Sequence, residues 1–460
     1  MHHRRCPGMI VPGHRAVRAP RPAAPRTQHE KDREMTEHPT EQPTPATDLR
    51  RWRREQLADL LRFGEASLRA DGAAQWLDDD GRPDLSQPVH TWITSRMAHV
   101  YAFASLLGVP GAGERADAAL HGLRAVLVDA ENGGWVSSRG PARRPGDGHD
   151  PAAGEAVPVD GTKSAYAHAF VVLAAASGTI AGREGARELL DAALAVLDER
   201  FWEPGPRMHA DEWSRDWTVL DEYRGVNANM HSVEALLAAH DATGDPEWLA
   251  RAASVADRVV GWARENDWRI PEHFDAGWNP LPDYNADRPR DPFKPYGSTP
   301  GHGLEWARLL LQVDVAAGTP GARTDAAVAL FDRAVADGWD GEHGGGFVYT
   351  VDWSGAPVEP RRYHWVAAEA VAAADVLGRV TGDPRFAEAA AGWWEWIDEH
   401  LVDHERGSWH HELDTANRPD GVTWVGKPDV YHAAQAVILP DLPLTGSLAA
   451  SAKAAGSILG

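Results

Sequence analysis

Cysteine is almost absent: Cys6 is the single one in 460 residues. An internal disulfide is therefore excluded, and a reducing, cytoplasmic setting is expected. No apolar run reaches the eighteen or so residues needed to cross a membrane, so no membrane partner is expected. Positive charge is in deficit. The 46 Lys and Arg against 68 Asp and Glu leave a formal net charge of −22, which argues against a nucleic-acid partner. The basic start, with Arg4-Arg5, has no apolar stretch behind it and does not read as a signal peptide. What remains, 43% hydrophobic and 25% charged, is an ordinary globular composition.

The two ends differ from the middle. Residues 1–45 are rich in Arg, Pro, His and Thr and lack apolar periodicity, so a disordered tail is expected there. Met35-Thr36-Glu37-His38 opens a candidate shorter chain, and the first 34 residues read as an upstream start-site extension. Residues 446–460 are expected to be a flexible C-terminal tail. Residues 46–445 are expected to form one domain.

That middle region repeats. Polar or aromatic clusters open six apolar segments, at Trp92–Met97, Tyr166–Phe170, Asn227–His231, Gly301–Glu305, Tyr363–Val366 and Asp429–His432. From Arg96 through His168, His231, His302 and His364 to His432 the steps are 72, 63, 71, 62 and 68 residues. Each unit has room for two helices and two connections. The first helix of each unit is apolar on most faces, and the second carries charge on one side. An all-round apolar helix is buried, whereas a striped one faces water. Thr243-Gly244-Asp245-Pro246 and Thr381-Gly382-Asp383-Pro384 separate the two, with Asp placed to cap and Pro to start the second helix. Gly-aromatic turns such as Gly133-Gly134-Trp135, and the run Phe347–Val351, predict small β-hairpins. No polar capping repeats are evident, which disfavours an open solenoid. The expected fold is all-α, a closed (α/α)6 barrel with small β-hairpins on one rim. The six opening clusters then converge at one mouth.

The stretch Pro292–Arg308 carries the strongest chemical signal. Its first half is broken by proline and glycine, and its second half can be a helix from Leu304 onward. His302 therefore sits where a loop enters a helix, with Glu305 three residues on, along the same face. The pair reads as an acid/base site, or as a capping arrangement with no chemistry.

Thr94-Ser95-Arg96-Met97, Asn227–Glu234, Pro300–Arg308 and Lys427–His432 resemble the N-acylglucosamine 2-epimerase superfamily, in particular its aldose–ketose isomerase branch of mannose and sulfoquinovose isomerases. The resemblance spans about residues 50–440. It implies cofactor-free proton transfer on an open-chain monosaccharide, D-mannose to D-fructose, with lyxose as a further substrate. It also implies that Arg96, His231, His302, Glu305 and His432 occupy active-site positions.

The chemistry suits these residue types. Isomerisation needs a ring opened, a proton taken from C2 and a proton returned to C1. Histidine exchanges protons near neutrality. His432 is assigned to the C2/C1 transfer and His302 to ring opening, with Glu305 orienting His302. Arg96 would steady the enediolate. His231 and Asn229 would bind sugar hydroxyls, Trp92 and Trp365 would offer apolar platforms, and Lys294, Arg290 or Lys427 would meet a charged C6 substituent. No metal or other cofactor is expected, although His302, Glu305 and His432 as metal ligands are the alternative. Other readings are a sulfoquinovose isomerase, a sugar 2-epimerase and a glycan-binding barrel without activity. An α/α-barrel glycoside hydrolase would need two opposed carboxyl groups. His168 and His364 read as structural. Nothing in the sequence decides between a monomer and a small homo-oligomer.

Overall fold

The computed structural model describes residues 45–140 and 157–459. The basic tail and Met35 lie outside the described residues. The chain divides into two units, Met1–Asp48 and Leu49–Gly460. Of the first, only the opening turn of a helix, from Pro45, is described. The second holds everything that follows.

In chain order the helices are α1 (Pro45–Gly64), α2 (Thr91–Leu106), α3 (Ala112–Gly122), α4 (Ala165–Ile180), α5 (Ala186–Val196), α6 (Val226–Thr243) and α7 (Pro246–Glu265). Then come α8 (Pro300–Ala317), α9 (Thr324–Gly338), α10 (His364–Thr381), α11 (Pro384–Trp396), α12 (Tyr431–Ile438) and α13 (Leu448–Ala455). The even-numbered helices form the inner ring, each packed on the next, and α12 returns to pack on α2. The architecture is the expected (α/α)6 barrel.

Sequence explains the two layers. Helix α4 buries fourteen of its sixteen residues, which alanine and β-branched residues allow because neighbouring helices can press on every face. Helix α5 buries Ala186, Leu189, Leu190, Ala193 and Leu194, one stripe at helical spacing, and faces water elsewhere. Asp245 and Asp383 accept from Glu247 N and Arg385 N at 3.0 Å, with proline next in the chain, so both predicted caps form. The glycines before them, Gly244 and Gly382, are left-handed, at φ 74° and 72°, and end the preceding inner helices.

Short strand pairs tie the mouth together. Residues just ahead of an inner helix pair with the segment that follows the next outer helix: Val89–His90 with Ser138–Arg139, Lys163–Ser164 with Glu212–Trp213, Arg224–Gly225 with His273–Phe274, and Arg362–Tyr363 with Glu412–Leu413. Ser298 bridges Val351 in the same way. The seam between last and first repeats is closed by Lys427 N on Leu77 O and Trp76 Nε1 on Val425 O.

The C-terminal segment corrects an expectation. The described part of the expected 446–460 tail, residues 446–459, is not loose. Ser447 caps α13, whose Leu448, Ala449, Ser451 and Ala452 are buried against α2, α4 and α6. An eight-residue alanine-rich helix offers little pattern of its own, and its stability comes from the surface it covers.

Candidate active site

Every inner helix begins at the mouth, so its first turn faces the barrel axis. Trp92, Arg96, Tyr166, Asn227, His231, His302, Glu305, His364, Trp365, Asp429 and His432 line one open cavity there, together with Pro292, Phe293 and Trp424. Seven of the residues singled out from sequence are thus brought together: Trp92, Arg96, His231, His302, Glu305, Trp365 and His432.

Two are not. Asn229 is fully buried behind the wall. Its amide accepts from His209 N and donates to the carbonyls of His209 and Gly225, so both its N–H groups and its oxygen are engaged by backbone. Asn227, two residues earlier, lines the cavity instead. Lys294 lies 3.4 Å from Asp211 and over the Tyr223 ring, away from the cavity lining. The other two cations considered for a charged substituent are also engaged elsewhere. Lys427 donates to Asp403 and to Gly407 O at 2.7 and 2.8 Å, and Arg290 pairs with Glu359 at 2.7 Å.

The two central histidines have matching supports. His302 Nδ1 meets Glu272 Oε1 at 2.9 Å, and His432 Nδ1 meets Glu369 Oε1 at 3.0 Å. A carboxylate oxygen only accepts, so each Nδ1 carries the hydrogen and each Nε2 is left for the cavity. Glu305, expected to hold His302, makes no hydrogen bond to it; Glu272 does. Both oxygens of Glu305 are buried without a hydrogen-bond partner, and the basic side chains within 4 Å are His231, through Nδ1 at 3.8 Å, and Arg308, through Nη2 at 3.5 Å.

Electrostatics sort these groups. Burial, reinforced by Glu369, pushes the Glu305 carboxyl well above its usual range and favours the protonated acid. Burial acts on Glu369 in the same direction, but Arg308 Nε bonds it at 2.9 Å and His432 bonds its other oxygen, so Glu369 is the carboxylate of the pair. Burial holds His432 well below an ordinary histidine, with Arg96 and His364 adding to the shift, so it is a neutral base. Burial likewise lowers His231 and His364 to about 4. Arg96 is buried, which opposes its charge, yet Tyr166 and Asp429 more than offset this. Its guanidinium bonds Asp429 at 3.1 Å and Tyr166 at 3.0 Å and lies over the Trp92 and Phe170 rings.

Two buried donor sets could hold a metal ion, His231/Glu234/Glu305 and Glu305/Glu369/His432. The guanidinium of Arg308 reaches both Glu305 and Glu369, so a positive charge already sits among these carboxylates. His168 is structural, as expected. Its Nε2 accepts from Trp135 N and its Nδ1 meets Ser164 O. His364 departs from that reading. It stacks on His411 at 3.8 Å between ring centroids, lines the cavity and leaves Nε2 without a partner.

The pattern of the N-acylglucosamine 2-epimerase (GlcNAc 2-epimerase) family matches residues 72–436. The chain belongs to that family. It is 48% identical over 413 residues to a D-mannose isomerase of Thermobifida fusca, covering 88% of this chain and 98% of the relative. It is 42% identical over 398 residues to a D-mannose isomerase of Pseudomonas cannabina pv. alisalensis, covering 85% and 92%. A crystal structure of a D-mannose isomerase superposes with TM-score 0.78 at 29% identity, covering 86% of this chain and 98% of that one. Within the family fold, the cavity sits where the starts of the inner helices converge.

Proposed function

We propose that this protein is an aldose–ketose isomerase that converts D-mannose to D-fructose. The observation that carries the reading is the pairing of two cavity histidines, each held by a carboxylate through Nδ1, beside a buried acid without a hydrogen-bond partner. The likeness to D-mannose isomerases over nearly their whole length supports the substrate.

In the proposed course, His302 Nε2 takes the proton from O1–H, C1=O forms, the C1–O5 bond breaks and Glu305 gives its proton to O5. His432 then removes the C2 proton, and the electron pair moves through C1 to O1. Arg96 faces that developing charge with a cation held rigid by Asp429 and Tyr166. His432 returns its proton to C1, the O2 proton leaves for O1, and a ketone stands at C2. His231, Asn227 and His364 supply hydrogen-bonding edges for the remaining hydroxyls, and Trp92 and Trp365 give apolar faces.

The charge of the cavity supports an uncharged sugar over sulfoquinovose. Among the described residues that line it, Arg96 is the single lysine or arginine, and it is already paired. The test is incubation of the purified protein with mannose, sulfoquinovose, N-acetylglucosamine and cellobiose, with product analysis. Fructose from mannose is expected, with His432→Ala lowering kcat/KM by about 10²–10⁴ and ending exchange of the C2 proton with deuterated water. Faster turnover of sulfoquinovose, or C2 exchange that survives in His432→Ala, would overturn the assignment. The protein is expected to act in the cytoplasm without a metal, so prolonged chelation should leave the rate unchanged.

A further inference from the structure

Two histidine–carboxylate pairs face the cavity, and their carboxylates are not treated alike. Glu369 is compensated: Arg308 binds one oxygen while His432 binds the other. Glu272 is not. It is 4% exposed, its Oε1 takes His302 Nδ1 at 2.9 Å and Thr299 N at 3.4 Å, and its Oε2 is buried with no partner. A carboxylate whose task is structural is normally satisfied at both oxygens, because an unpaired buried charge is costly. The backbone of Glu272 is nevertheless fixed. Its carbonyl accepts from Val226 N at 3.1 Å, and the next residues pair with Arg224–Gly225. The side chain is thus presented to His302 from a rigid strand pair rather than from a mobile loop.

We propose that Glu272 is the positioning residue of ring opening. It acts through His302 and touches no sugar atom. It fixes the tautomer that leaves Nε2 free to take the O1 proton, and it keeps the ring in place through the Nδ1–H bond while that proton arrives. The step balances as written above: the proton lost from O1 rests on His302, and the proton gained by O5 comes from Glu305. This inference rests on the assignment of His302 to ring opening.

The experiment isolates that step. In a His432→Ala background, proton transfer at carbon is blocked, and ring opening is read as acceleration of mannose mutarotation by polarimetry. His432→Ala is expected to accelerate mutarotation above the spontaneous rate. Adding Glu272→Gln is expected to remove at least tenfold of that acceleration, and adding Glu272→Asp to restore part of it, with matched melting curves. If the Gln variant does not fold, the Asp variant carries the test, and full acceleration in it overturns the proposal. Retained acceleration in Glu272→Gln, with loss in His302→Ala, overturns the role of Glu272 and leaves that of His302 standing. Retained acceleration in His302→Ala, or none in the parent, overturns the ring-opening reading itself.

Discussion

The rim turns and the cavity both bury charge, and they do so in opposite ways. At the rim, Lys163 donates to Asp129 and to Gly133 O at 2.9 and 2.7 Å, and Lys427 repeats this with Asp403 and Gly407 O at 2.7 and 2.8 Å. Each lysine is fully enclosed and holds its turn shut. In the cavity, Glu305 has two bare oxygens, and His231 Nδ1 and His364 Nε2 are also without partners. The two lysine-held turns are satisfied ions, whereas the cavity wall leaves several polar atoms open. A buried polar atom left open is costly, and a substrate hydroxyl can offset that cost.

The largest effect expected from this contrast is on stability at the rim. Lys427→Met leaves Asp403 buried without its cation and should cost about 3–5 kcal/mol. Lys163→Met should cost less, because Arg215 also binds Asp129, at 2.9 and 3.0 Å. Urea unfolding of both variants checks the order. Neither should change KM of the folded fraction, and a KM rise in Lys427→Met would return that lysine to the substrate site.

The barrel and the members of its mouth were legible because the repeat places each opening cluster at the start of an inner helix. Arg96, His231, His302, Glu305 and His432 come from four different repeats and one geometric rule. The partnerships were not legible. Spacing of three suggested that Glu305 serves His302, yet the supporting carboxylates lie 30 and 63 residues from their histidines. Glu272 comes from a strand pair after an outer helix, and strand pairing across the mouth leaves no local signature. Glu369 did leave one: it is an acid inside an alanine-rich helix that is otherwise buried, where an unpaired carboxylate is rare. Asn229 misled for the converse reason. It sits in a catalytic-looking cluster, but one face of that helix turns toward the hairpin behind it.

Asn229 supplies the next test. Its amide makes three hydrogen bonds to backbone. Asn229→Ala strands the His209 N–H and two carbonyls and should cost about 1–3 kcal/mol. KM for mannose should stay as it is. A higher KM at unchanged melting temperature would mean that this amide reaches the sugar.

No loss of stability is expected at Glu305, where the loss of activity should be large. Glu305→Gln keeps the shape of the neutral acid that burial favours. The sign follows from the raised pKa. Below the unfolded value near 4.5, wild-type Glu305 is protonated in both states, and the two proteins should be equally stable. Above it, the unfolded chain gives up a proton that the folded protein keeps, so wild type loses stability as pH rises toward the folded pKa, by at most about 1.4 kcal/mol per pH unit. The Gln variant has no such loss. Denaturant midpoints at pH 3.5, 6 and 7.5 should therefore coincide at the first and then separate in favour of Glu305→Gln, while mannose conversion falls because no proton is available for O5. A variant that is less stable than wild type at pH 7.5 would show that Glu305 is ionised and held by Arg308, and would move it from the chemical set to the architectural one.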